Sequence, residues 1–328
     1  MTSLNLATKY GLRALRRVGD IYSSLPMSSD RVCILNYHRV LPSLDSMLPN
    51  DPDISTFRWQ MQLLSSFFNV IPLDLALAGL RDGTIPPRAV CITFDDGYRS
   101  IHDLALPILL EYELPATVFV SSGYIGHGAM WNDRIIEAIR GFEGGSLDLP
   151  SVDFGVLSCG TVLDRQKACE TIIGSAKYLA PDLRESLTRE IEMHCKVSIE
   201  PNLMLTKSML RALVGSGIEI GAHTVSHPIL SNVSDESARR EIAESKRVLE
   251  ATIDGDVRYF AYPNGKFGKD FDLRHVKMVK DAGFEAAFTS SSGGAAMLGD
   301  DYQLCRCMPW DRSPAAFGIR LFRWLYGV

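Results

Sequence analysis

No stretch of this sequence reaches the roughly 20 consecutive apolar residues that a membrane-spanning helix needs, and it contains no C-x-x-C pair, internal repeat or low-complexity linker. A spanning protein is therefore not expected. At the N-terminus Lys9, Arg13, Arg16 and Arg17 interrupt every apolar run, so no secretory signal is expected either. Cysteines number seven, an odd count, at 33, 91, 159, 169, 195, 305 and 307. Several sit inside apolar runs such as VCIL and VCITF, where a thiol behaves as a small hydrophobe. A disulfide framework is not expected, and a reducing, cytoplasmic location is. An excess of basic charge is missing too. With 34 Lys+Arg against 39 Asp+Glu the formal net charge is −5, which argues against nucleic acid as a partner, because phosphate binding needs a basic surface.

What is present is 328 residues of ordinary globular composition, 46% hydrophobic and 22% charged, enough for one large α/β domain or two small ones. The charge is unevenly spread. Residues 1–25 carry Lys9, Arg13, Arg16 and Arg17 against Asp20, and 312–328 carry Arg312, Arg320 and Arg323 without an acid, so an acidic body has two basic ends. On a helix, Leu4, Ala7, Gly11, Ala14, Leu15, Val18, Ile21 and Tyr22 share one face and the basic residues the other. Residues 1–30 are thus expected to form a basic amphipathic helix. It either packs on the body or lies on an anionic membrane, giving peripheral contact on the inner face through residues 1–25. Residues 311–328 are apolar nearly all round and are expected to be a helix buried against the fold.

Short apolar runs recur along the chain: VCILNYH (32–38), NVIPL (69–73), AVCITF (89–94), ATVFVS (116–121), GIEIGAH (217–223), VRYFAY (257–262), FEAAFTS (284–290) and QLCRCM (303–308). They read as buried strands, separated by helical patterns such as 56–68 and 235–253. The alternation predicts an α/β fold, a distorted (β/α) barrel resembling a TIM barrel with seven or eight strands, over residues 31–310. Residues 127–215 break the rhythm and are expected to be a helical or irregular insertion without a convincing strand.

TFDDGY places Asp95 and Asp96 at the carboxyl end of a predicted parallel strand, where barrel active sites are built. Two adjacent carboxylates there suggest a division of labour, one on a metal and the other free as a base; the alternative is an acidic turn. GIEIGAHTVSHP puts His223 and His227 at the end of another strand, able to converge on one ion or to be two polar surface residues. One Asp and two His leave coordination positions open for water and substrate, as a catalytic metal requires. His38 ends the first strand and either points into the same mouth or is a hydrogen-bonded core residue. His102, His127, His194 and His275 are expected on the surface. AYPNGKFG (261–268) reads as a rigid rim loop offering Tyr262 and Asn264 to a ligand. Trp131, Tyr262 and Trp310 are candidate rim aromatics.

TFDDGY, HTVSHP and YFAYPNGKFG, in this order and spacing, resemble the three motifs of the polysaccharide deacetylase superfamily, carbohydrate esterase family four. The early YHRV followed by TFRWQMQLL is similar to the branch of biofilm poly-N-acetylglucosamine deacetylases. The resemblance implies a metal-dependent hydrolase that removes N-acetyl groups from an amino-sugar polysaccharide or glycan precursor in cell-surface glycan biosynthesis, releasing acetate. It assigns Asp96, His223 and His227 to a divalent metal, zinc in most members, and Asp95 to the general base. The oxyanion would be held by the metal and a backbone N–H near Tyr98, a substrate-binding position. Two departures stand out. The usual late histidine is absent from QLCRCMPWDRSP, which leaves His38 as the acid, as in the biofilm branch. An arginine usual in the third motif is replaced by Ala261, which leaves Arg306 to orient the base from the last strand. An N-acetylated glycan or lipid-linked sugar is the expected substrate. The competing readings are a glycan-binding or regulatory protein on the same fold, and a non-haem iron oxygenase using two His and one carboxylate.

Overall fold

The computed structural model describes residues 31–149, 154–197, 202–296 and 299–327. The expected helix over 1–30, with its membrane contact, lies outside the described residues. One sheet dominates. Strands β1 (Arg31–Tyr37), β2 (Asn69–Val70), β3 (Ala89–Phe94) and β4 (Thr117–Val120) precede a two-stranded hairpin of β5 (Ser146–Leu147) and β6 (Leu157–Ser158); β7 (Glu219–Ala222), β8 (Tyr259–Ala261), β9 (Ala286–Phe288) and β10 (Ala295–Ala296) follow. Parallel pairing runs β1–β3–β4–β7–β8–β9, with β2 beside the start of β3 and β10 antiparallel to the start of β1. The protein is thus a distorted (β/α) barrel.

Residue parity explains what each strand buries. Val32, Ile34, Ala89, Cys91, Phe119, Tyr259, Ala261, Ala286 and Phe288 form one apolar cluster inside the barrel, together with helix α2 (Leu73–Asp82). The alternate residues Leu35, Val90, Ile92, Val118, Ile220 and Phe260 face outward into a second, larger cluster with the helices. Outward-facing cover comes from α1 (Ile54–Phe67), α3 (Leu106–Glu111), α7 (Lys207–Gly215), α8 (Asp235–Ile253) and α9 (Leu273–Asp281). Asp53 caps α1 and Ser234 caps α8, and the apolar registers Phe57/Met61/Leu64 and Ala238/Ile242/Leu249 are buried.

Two expected strands are altered. The run at 69–73 stops at Val70, because Pro72 lacks an N–H and opens α2 instead. QLCRCM forms no regular strand; Leu304 bridges to Phe288 and Cys307 to Leu35, both in parallel. Between them the N–H of Arg306 turns to the carbonyl of Ser291 (3.1 Å), which interrupts the ladder. The segment nevertheless stitches β9 to β1 and closes the barrel at its mouth: Leu304 N–H donates to Ala287, and Cys307 N–H to Ile34 at 2.7 Å.

The interval 127–215 contains α4 (Trp131–Gly141), the small hairpin, α5 (Val162–Ala176) and α6 (Pro181–Cys195). These share their own core, including Ile135, Ile139, Leu147, Ile172, Leu187 and Ile191. The hairpin is a departure from the strandless insertion expected. So is α7, which buries Leu210 and Leu213 in the main core and packs on β7 and α8 as an ordinary barrel helix. At the other end α10 (Pro314–Tyr326) buries Phe317, Leu321, Phe322 and Leu325 against β1 and α1.

Candidate active site

Above the apolar interior lies a polar layer. Continuing the inward parity of β1 and β3 past Ile34 and Cys91 brings Asn36, Thr93 and Asp95 to the mouth. The closing segment supplies Arg306, buried to 1% exposure. Its Nη1 and Nη2 donate to Oδ1 and Oδ2 of Asp95, each at 2.7 Å, and its Nε to the carbonyl of Thr289 at 3.1 Å. Asn36 Nδ2 adds a bond to Asp95 Oδ2 at 3.1 Å. Burial acting alone raises the Asp95 carboxyl; the Arg306 guanidinium, followed by His223, outweighs it and holds the group well below the usual carboxylate range.

Asp96 follows in the left-handed region at φ 73°, and Asp95 Oδ2 and Asp96 Oδ1 both come within 4.0 Å of His223 Nε2. His223 Nε2 stands 3.6 Å and His227 Nε2 3.4 Å from Asp96 Oδ1. His223 Nδ1 faces the carbonyl of Ala261 at 2.7 Å. A carbonyl only accepts, so Nδ1 carries the proton and the Nε2 lone pair faces the cluster. Burial pushes the two imidazoles down, His223 to about 4 and His227 to about 3, and pushes the Asp96 carboxyl up. Asp96 Oδ1 is buried without a hydrogen-bond partner. The three ligand atoms lie within 4.8 Å of one another. An orphaned carboxylate oxygen facing two neutral imidazoles is a donor set suited to a divalent ion.

The loop that carries His227 is held from two sides. From α8, Glu241 Oε2 accepts the N–H groups of Val225 and Ser226, each at 2.8 Å, and its Oε1 accepts the Ser226 hydroxyl at 2.7 Å. From α6, Arg184 donates to the carbonyls of His227 (3.1 Å) and Ser226 (2.9 Å) while its guanidinium lies 4.8 Å from the centre of the Trp131 ring. Both Thr224 and His227 adopt positive φ, 65° and 54°. The clamps are what maintain this strained turn.

A cavity of about 580 Å³ opens over these groups. It brings together Asp95, Asp96, His223, His227, Arg306 and His38, with Tyr262, Asn264, Trp131 and Trp310 in its walls. Tyr262 offers its ring only, since its hydroxyl donates to the Tyr302 carbonyl and its face stacks on Phe271 at 3.7 Å. Tyr98 is not in the cavity wall. Its ring is buried under the Arg39 guanidinium at 4.0 Å and its hydroxyl bonds Asp133, because Asp133 and Arg39 form a buried polar cluster that the phenol completes. His275, expected at the surface, is fully buried and closes the capping box of α9 with Asp272. Asn36, Arg184 and Glu241 were not expected. Strand parity would have found Asn36; the other two act across tertiary contacts that leave no local pattern.

A family model described as polysaccharide deacetylase matches residues 82–287. The poly-beta-1,6-N-acetyl-D-glucosamine N-deacetylase of Staphylococcus epidermidis is 33% identical over 206 residues, 57% of this chain and 70% of that protein. Among solved structures, the Streptococcus pyogenes deacetylase PplD in complex with acetate is similar at a TM-score of 0.58 and 18% identity, covering 90% of this chain and 98% of that one. IcaB from Ammonifex degensii is similar at 0.59 and 18%, covering 90% and 97%. At these identities the structural likenesses speak for the fold.

Proposed function

This chain belongs to the polysaccharide deacetylase family, in the branch of the biofilm poly-N-acetylglucosamine deacetylases, and from that premise we propose that it hydrolyses N-acetyl groups on an amino-sugar glycan and releases acetate. The observation that carries the proposal is the Asp95–Arg306 pair beside the Asp96–His223–His227 triad, whose Asp96 Oδ1 is orphaned, in one cavity.

Asp96, His223 and His227 would hold a divalent ion, and zinc suits one carboxylate and two imidazoles. Bound there, it would supply Lewis-acid polarisation of the acetyl carbonyl and lower the pKa of a water. The remaining work falls to the chain's own side chains. Asp95 is fixed in place and kept ionised by Arg306, so it is ready to accept the proton of the attacking water. Its Oδ1, bonded once, retains a lone pair for that proton. Water oxygen bonds to the acetyl carbon, the C–N bond breaks, and the departing nitrogen needs a proton, because an amide anion is too poor a leaving group. His38, at the end of β1 and in the cavity wall, is the donor. An oxygenase has no use for a base as carefully held as Asp95. Acetylated glycans are the reactants, and lipid-linked sugars belong to the same class. All seven cysteines are unpaired, and no helix among the described residues is long and apolar enough to cross a membrane.

The test is acetate release from a panel of N- and O-acetylated glycans after metal removal and add-back. We expect N-acetyl substrates to be turned over only with metal, and Asp95→Asn to lose roughly 10²- to 10⁴-fold in kcat while still binding the ion. Activity that survives both Asp95→Asn and metal removal overturns the proposal.

A further inference from the structure

Lysines gather where the insertion meets the loop after β8. Lys177, just past α5, and Lys266, four residues beyond Tyr262, both line the catalytic cavity. Lys269 joins them from the same loop: the Nζ atoms of Lys177 and Lys269 lie 5.2 and 4.9 Å from the centre of the Tyr178 ring. The lysine ion pairs among the described residues involve Lys246, Lys277 and Lys280, not these three. Of the two carboxylates on this loop, Asp270 is 2% exposed and turned inward to accept the backbone N–H of Lys266 at 3.0 Å, and Asp272 caps α9 and pairs with Arg274.

The cavity walls contain two acids, Asp95 and Asp96. Arg306 neutralises the first, and a divalent ion more than offsets the second. The other charged residues in the cavity lining, besides its histidines, are Lys177 and Lys266, and both are cationic. An N-acetylglucosamine homopolymer is neutral and its deacetylated units are cationic, so neither offers these side chains an ion-pair partner. The geometry points to a substrate that carries an anionic group, carboxylate or phosphate, on the sugar beside the acetylated one or on its linkage, docked between Lys177 and Lys266. This inference rests on the deacetylase reading of the site.

The test uses matched pairs on the zinc-loaded protein. One pair is an N-acetylated disaccharide containing a uronic acid and its carboxyl-reduced counterpart. The other is N-acetylglucosamine 1-phosphate and N-acetylglucosamine. Acetate release is followed for each, and equilibrium binding is measured in parallel on the metal-free protein. The expected result is a roughly tenfold lower KM for the charged member at low ionic strength, shrinking as salt is raised. In Lys177→Ala/Lys266→Ala the ratio falls to near parity, and in Lys177→Glu/Lys266→Glu it inverts; because the readout is a ratio within one preparation, a partly unfolded variant does not imitate it. Whichever pair shows the effect separates carboxylate from phosphate. Equal KM and equal binding of charged and neutral members, or a preference that persists in the double alanine variant, overturns the inference. Failure of the deacetylase reading looks different: no acetate from any compound, while the binding preference is still measured directly.

Discussion

Arg306 reaches Asp95 from a segment more than two hundred residues later in the chain, and the pair is buried on both sides. A buried ion pair of this kind contributes little as a pair, yet removing one partner leaves the other charge stranded. Arg306→Met is therefore expected to destabilise the protein by about 3–5 kcal/mol, read by denaturant unfolding. Arg306→Lys keeps the charge and loses the two-pronged geometry. It should lower kcat by about 10- to 100-fold with little change in KM. It should also move the acid limb of the kcat–pH profile to higher pH, because a less firmly held Asp95 takes up its proton sooner. An unmoved acid limb would mean that Arg306 only fills space. The arginine was legible in the sequence as the basic residue of the last apolar run, once Ala261 left its usual position without one. Asn36 was not, since a single amide inside VCILNYH looks like an irregularity until the inward parity of β1 is followed to its end.

The insertion is an element with a task at the site. Arg184 on α6 is 4% exposed and spends its donors on the carbonyls of Ser226 and His227, so the turn bearing His227, a candidate metal ligand, is braced by a helix outside the barrel. Arg184→Gln is expected to weaken ion binding by about 10- to 100-fold, measured by competition against a chromophoric chelator, with Arg184→Lys recovering part of the loss. Equal affinity in all three proteins would reduce Arg184 to packing. Glu241 plays the opposing part from α8. Neither was legible: each lies on an amphipathic helix, where an exposed-looking charge is the ordinary outcome, and the partner backbone is 43 residues away for Arg184 and His227. Elements whose function is local were legible. The Asp-Asp-Gly turn and the two histidines sit at strand ends because apolar strands and their terminators are written in short windows.

Over the whole molecule, acid is expected to be destabilising in a defined direction. His223, His227 and His275 are all held below their ordinary value by burial. The folded protein thus binds fewer protons than the unfolded chain below about pH 6.5. Their contribution is complete above that value and is lost as pH falls toward about 4 for His223 and about 3 for His227. The melting temperature of the metal-free protein should be level from pH 7 to 8 and fall steadily below 6, more steeply with metal bound, because protons then compete with the ion. A flat profile down to pH 4.5 would contradict the burial of these rings. The barrel itself was legible from strand–helix alternation; the broken strand at its closure was not, because the carbonyl that accepts the Arg306 N–H belongs to Ser291. That closure also orders events in time. Every metal-ligand candidate precedes residue 228, whereas the arginine that pairs with Asp95 arrives at 306. On the ribosome, a nascent chain would complete its candidate ion-binding triad well before Asp95 gains its arginine partner. Activity is expected only once the segment 303–308 is threaded between β9 and β1.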